Sequence, residues 1–250
     1  MLAETNWKAV KDTQFTTAVL PWGATEAHNY HLPYATDNYQ AEHVAESAAG
    51  IAWERGARLL VLPTIPFGVN TGQLDVKFCM NMMPSTQLAI LKDVCDVLSR
   101  HDVTRLVILN GHGANNFVPI IRELALHFPK LFICSLNWFM AADRKSYFEE
   151  PGDHADEFES SVMMHIAPHL TLPLSEAGDG ANKHYALEGF RKGWAWAQRP
   201  WTKITADTGS GNPYKATAEK GSRFVEATVA NIADFLYDLS TKEPDSLLSH

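Results

Sequence analysis

With 250 residues, 46% of them hydrophobic and 20% charged, the chain can bury one substantial core and reads as a single domain over 1–250. A net charge of −8 with no basic cluster excludes a nucleic-acid or anionic-membrane surface and leaves small molecules as the expected partners. Three cysteines without CxxC spacing argue against a disulfide framework or a zinc–thiolate site. The polar opening and the lack of a long apolar run predict a cytoplasmic protein with no leader and no membrane span.

Residues 16–20 (Thr-Thr-Ala-Val-Leu) form a short β-prone run. It leads into a segment, 21–37, that carries Glu26, His28, His31 and Asp37, a dense set of oxygen and nitrogen donors in a loop-like context. Singly, each would be read as a solvated loop residue; together they suit one half of a two-ion site, in which a carboxylate is shared between ions. Apolar residues at helical spacing follow from 38 to about 55, and Asp37 is placed to cap that helix as well as to bind metal. A second strand is expected at 58–63 and an amphipathic helix from Pro84.

The strongest strand signal is 104–109 (Thr-Arg-Leu-Val-Ile-Leu), nearly all apolar, as a central parallel strand requires. It ends in Asn110-Gly-His-Gly-Ala-Asn115, where two glycines permit a tight turn that sets His112 at the strand tip as a ligand candidate. A helix from Val118, a buried strand at 131–136 and a loop to Gly152 come next. Residues from 153 read as a capped helix start, in which His154 and Glu157 are i, i+3 neighbours on one face and Glu159 points elsewhere. An alternative for Glu157 is a favourable charge at a helix N-terminus. The Gly- and Trp-rich stretch 173–213 is irregular, a last helix spans about 215–239 with Phe224, Val225, Thr228, Ile232, Phe235 and Leu239 on one stripe, and the tail 244–250 is expected to fray. Alternating strand and helix signals predict an α/β fold, a three-layer αβα sandwich with a mainly parallel sheet and a site beyond the carboxyl ends of its strands.

The motif Glu26-x-His28-x-x-His31-Leu-Pro followed by Asp37, then Asn110 to Asn115, then 154–161 and 211–221, resembles the creatininase (creatinine amidohydrolase) family in motif order over nearly the whole chain. The resemblance implies a creatininase-like, dinuclear metal hydrolase whose bridging hydroxide attacks the carbonyl of a small amide or cyclic amide. One ion would take Glu26 and His112, the other His28 and Glu157, with Asp37 between them, and His154 would match the family's catalytic histidine. Glu157→Ala is then expected to cost one of the two ions. Mixed nitrogen and oxygen donors suit zinc, manganese or iron. The resemblance favours zinc, then manganese, and a homo-oligomer, commonly a hexamer. The chain departs from the family pattern at Thr71-Gly-Gln73, at Lys77 to Pro84, at Ala114 and over 147–153, so the substrate is expected to differ from creatinine. A keto-sugar or lactone-like ring is one alternative, and a non-catalytic metal- or sugar-binding protein is another.

Overall fold

The computed structural model describes residues 1–248 and has a four-stranded parallel sheet at its centre. Strand β1 (Thr17–Trp22) is followed by helix α1 (Thr36–Glu54), β2 (Leu59–Val61), α2 (Pro84–Arg100), β3 (Arg105–Asn110), α3 (Val118–His127) and β4 (Phe132–Asn137). A two-stranded antiparallel ribbon joins β5 (Gly152–His154) to β6 (Ser210–Gly211), with α4 (Glu157–Ile166) between them in sequence and α5 (Ala218–Thr241) after them. The sheet order β2-β1-β3-β4 puts the first crossover on one side of β1 and the second on the other. The fold is therefore the expected mainly parallel α/β sandwich, and the cleft beyond β1 and β3 lies where the strand order reverses.

Alternation along the central strands separates two cores. Val19, Val107 and Leu109 face α1, α4 and α5, meeting Val44, Ala48, Phe158, Val162, Phe224 and Ile232. Ala18, Leu20, Leu106 and Ile108 face the other way, onto Leu91, Cys95 and Leu98 of α2 and Leu124 of α3. Each fully buried Leu, Ile or Phe in these layers contributes about 1.5–3 kcal/mol. The row Ala41, Ala45, Ala48, Ala49 and Ala52 gives α1 a thin inner face, suited to a close fit on the sheet. Caps fix two of the helix starts, since Asp156 accepts the N–H of Glu159 and Thr217 that of Lys220, while Pro84 opens α2.

Two expectations change. Strand β4 is an edge strand with Phe132 exposed, so its apolar run is only half covered. On α5, Phe235 lies outside the buried stripe, which instead continues through Val229, Ala233 and Leu236. The tail forms a 3-10 turn at Pro244–Leu247, and 249–250 lie outside the described residues. Among the described residues no helix is long and apolar enough to cross a membrane.

Candidate metal centre

Strand β1 delivers Glu26 and His28 into the cleft, and an isolated bridge between His28 and Leu32 turns the segment back toward α1. Asp37, in the first turn of α1, makes no cap; its oxygens lie 3.1 Å from His28 Nε2 and 2.9 Å from His112 Nδ1. His112 comes from the tip of β3. Gly111 is needed there for close approach rather than for a turn, because its φ is ordinary and a Cβ would stand 2.8 Å from the carbonyl oxygen of Asp37. His112 Nδ1 also lies 2.9 Å from Glu26 Oε1. Glu26, Asp37 and His112 thus form one potential ion site, His28, Asp37 and Glu159 a second with Asp37 common to both, and Glu26, His28 and His154 a third grouping.

Each histidine is oriented by its other ring nitrogen. His28 Nδ1 pairs with the carbonyl of Glu26 at 3.0 Å, His112 Nε2 with that of Val69 at 3.1 Å, and His154 Nε2 with that of Ala27 at 2.8 Å. A carbonyl only accepts, so each of these nitrogens carries the proton and the opposite nitrogen turns a lone pair toward the carboxylates. Lone pairs facing carboxylate oxygens repel unless a cation or an added proton intervenes. Asp37 Oδ2, buried and 2.9 Å from His112 Nδ1, is such an oxygen. The donor set fits divalent ions.

Without ions, protons take over. Burial opposes charge on His28, but Asp37, Glu159 and Glu26 outweigh it and raise its pKa to about 10. His112 is raised well above its ordinary value against the same burial, by Glu26 and Asp37. Glu26 and Asp37 are buried too, which alone would push them up, yet the neighbouring histidines hold both low. Glu159 is pushed up to about 8 by burial, with Asp37 and Asp156 adding to it and His28 opposing. His154 is lowered, first by burial and then by His28.

The structure places Glu157 outside the cluster and Glu159 within it. His154 ends β5 rather than sitting in the helix, Ala155 takes a left-handed φ of 48°, and α4 starts only after the Asp156 cap. That turn rotates the helix so that Glu159 faces His28, with Oε2 3.9 Å from Nε2 while also accepting the N–H of Ala155. Glu157 is fully buried on another side, where it accepts the N–H groups of Glu149 and Glu150 at 2.8 and 2.7 Å and pairs with Lys220. His31 lies outside the cluster, its Nε2 2.7 Å from Ser160 Oγ.

Sequence reasoning missed Glu159, Gln73 and Trp201. Gln73, from the loop that departs from the family pattern, donates from its amide to Glu26 Oε2. Trp201, from the irregular Trp-rich stretch, packs its ring edge-on against His154 with centroids 5.2 Å apart. A cleft of about 1080 Å³ opens over the cluster, lined by Asp37, His112, His154, Glu159, Arg144 and Trp196 among others. Trp194 and Trp196 are largely exposed, with Trp196 on the cleft wall.

A family model described as Creatinine amidohydrolase matches residues 3–236. A crystal structure of a candidate creatinine amidohydrolase from Bacteroides fragilis NCTC 9343 is 43% identical, covers 97% of both chains and superposes with a TM-score of 0.92. The mycofactocin precursor peptide peptidase of Mycobacterium ulcerans is 26% identical over 92% of this chain and 88% of its own length. The creatinine amidohydrolase of Pseudomonas putida is 25% identical over 86% of each. A creatininase structure of Zn-Zn type and one described as creatininase Mn share the fold at TM-scores of 0.78 and 0.76, with 23% and 21% identity and at least 96% of each chain covered.

Proposed function

This chain belongs to the creatininase family, and on that premise we propose that it is a hydrolase holding two divalent ions around Asp37 and cleaving a carbon–nitrogen bond next to a carbonyl. The observation that carries this reading is the convergence of His28, His112 and His154, each tied by one nitrogen to a backbone carbonyl, on the buried carboxylates Glu26, Asp37 and Glu159. Glu26 and His112 would hold one ion and His28 and Glu159 the other, with Asp37 shared; zinc and manganese both suit these donors. Bound there, the ions supply an acidified water and a Lewis acid for the substrate carbonyl.

The chain's own part is proton handling and positioning. His154 Nδ1 faces the cluster, 3.8 Å from Glu26 Oε1, while Nε2–H stays with the Ala27 carbonyl. His154 therefore takes a proton at Nδ1 and returns it from the same atom to the leaving nitrogen, and the Ala27 carbonyl steadies the ring while it is charged. The buried Trp201 indole keeps water from the outer side of that ring. The cleft volume favours a substrate larger than one small ring, such as an amide within a longer molecule. A homo-oligomer, hexameric by family resemblance, is part of the same proposal, and light scattering tests it.

Metal analysis of protein prepared without chelator, beside turnover assays on creatinine, formamides, short peptides and sugar-derived rings, tests the reading. Two ions per chain and turnover of one amide class are expected, with His154→Ala retaining the ions and losing about 10²–10⁴ in rate. Fewer than about one ion per chain sinks the two-ion site. Ions without turnover of any substrate point instead to a binding protein, and a His154→Ala variant with unaffected turnover removes His154 from the proton transfer.

A further inference from the structure

Glu26 has two carboxylate oxygens with unlike surroundings. Oε1 faces the imidazoles of His112 and His154, whereas Oε2 receives the side-chain N–H of Gln73. A primary amide can rotate by half a turn, and a rotated Gln73 would set its oxygen against a carboxylate oxygen, two acceptors in contact. Cys79 prevents this. Its thiol donates to Gln73 Oε1 at 3.2 Å, and its sulfur in turn accepts the N–H of Ala27 at 3.2 Å, so the one thiol proton is committed to the amide oxygen. Ala27 is the residue between Glu26 and His28, and its carbonyl orients His154.

The loop that carries the pair is anchored to the ligand segment itself. Gln73 N–H bonds to the Asn70 carbonyl, Asn70 Nδ2 to that of Met80, and Met80 N–H to that of Thr25, one residue before Glu26. Phe78 takes a left-handed φ of 60° with its ring in solvent, and the chain reverses there so that Cys79 points inward. A bulky aromatic in that conformation is strained, which the surrounding contacts must hold in place.

We propose that Cys79 and Gln73 form a hydrogen-bonded relay that locks Glu26 with one oxygen free for metal and sets the affinity of the ion shared with His112. Neither residue touches the reacting atoms; both are positioning residues, and the proposal rests on the two-ion reading above. The relay fixes the amide's orientation, the amide fixes the carboxylate's rotation, and a rotating carboxylate would bind the ion more weakly.

Titration of the metal-free protein with Co(II), followed by visible absorption and calorimetry, measures this apart from turnover. Gln73→Leu and Cys79→Ala each weaken one of the two binding steps by about 10- to 100-fold and alter its absorption band. Cys79→Ser, which keeps a donor, recovers to within about threefold of wild type, and adding Cys79→Ala to Gln73→Leu weakens binding little further because both act through one hydrogen bond. Thermal unfolding of the metal-free variants separates this from misfolding, and if Cys79→Ala does not fold, Gln73→Leu and Cys79→Ser decide between them. Wild-type affinity for both ions in Gln73→Leu, or equal loss in Cys79→Ser and Cys79→Ala, overturns the relay while the two-ion reading stands. A wild-type protein that binds no Co(II) overturns both.

Discussion

The two halves of the centre share Asp37 but are built differently. Asp37 sits in the first turn of α1, His112 two residues beyond β3 and Glu26 four residues beyond β1, close to the ends of the central strands. His154 ends the two-stranded ribbon and Glu159 sits in the first turn of α4, the two joined by a left-handed turn outside that sheet and held by Asp156 and its ion pair with Arg144. The first half inherits its geometry from regular structure, so sequence periodicity reaches it. In the second half one residue, Ala155, decides which carboxylate of α4 enters the cleft, and periodicity cannot read a single positive φ.

Removing the shared group tests the comparison most severely. Asp37→Ala takes a donor from both candidate ion sites, and on the two-ion proposal metal analysis should find both ions lost, with activity falling by about a thousandfold or more. If one ion stays tightly bound, Asp37 is not common to the two halves.

The exchange of Glu157 for Glu159 comes next. Glu159→Gln is expected to lose one ion and nearly all turnover while unfolding much as wild type does. Glu157→Gln should keep both ions and the chemistry, yet lose about 3 kcal/mol of stability, because Lys220 and two backbone N–H groups lose a buried anionic acceptor. Chemical denaturation with metal analysis separates the two, and a Glu157→Gln variant that loses an ion would restore the assignment made from helical spacing.

How far the sequence could be read follows the same division. The apolar run of β3 and the glycines beside His112 mark that residue as a candidate at a strand tip, since a strand covered on both faces must be apolar throughout. Strand β1 was expected to stop before Pro21 but runs on to Trp22. Pro21 is tolerated because its carbonyl, and so its missing N–H, points to the β2 side, where β2 has already ended at Val61. Helical spacing counted from His154 turns Glu159 away, because it treats His154 as part of the helix, whereas α4 begins only after Asp156. Gln73 was invisible for another reason: its partner lies 47 positions away, and no local pattern distinguishes an amide bonded to a ligand from one facing solvent.

Protons offer a finer test of how the halves couple. In the metal-free protein His28, at about 10, and His112, raised well above its usual value, hold protons at pH 7, and Glu159, at about 8, does so as well. Ions need all three groups deprotonated, so metal uptake at pH 7 should release about three side-chain protons, and affinity should climb with pH. Above pH 8 Glu159 is already ionised, so its share of the release disappears while those of the two histidines persist. Calorimetry in buffers of different ionisation enthalpy counts the protons, and an uptake that is independent of pH between 6 and 8 contradicts the donor set.

The smallest expected effects come from the two glycines that flank His112, which the sequence treats alike and the structure does not. At Gly111 an added Cβ meets the Asp37 carbonyl oxygen at 2.8 Å and Ala41 Cβ at 3.0 Å. One obstacle is backbone and the other is the inner face of α1, so neither can swing aside as a long side chain would. Gly111→Ala must therefore push the tip of β3 away from α1, at a cost of about 1–3 kcal/mol, and it moves His112 relative to Asp37 as it does so. At Gly113 an added Cβ meets nothing within 4 Å, and φ is not in the left-handed region. Gly113→Ala should change stability by no more than about 0.5 kcal/mol and leave metal binding unchanged. Thermal unfolding and metal titration of the two single variants make the comparison, and equal losses in both would mean that His112 depends on a flexible turn rather than on the close seat of β3 against α1.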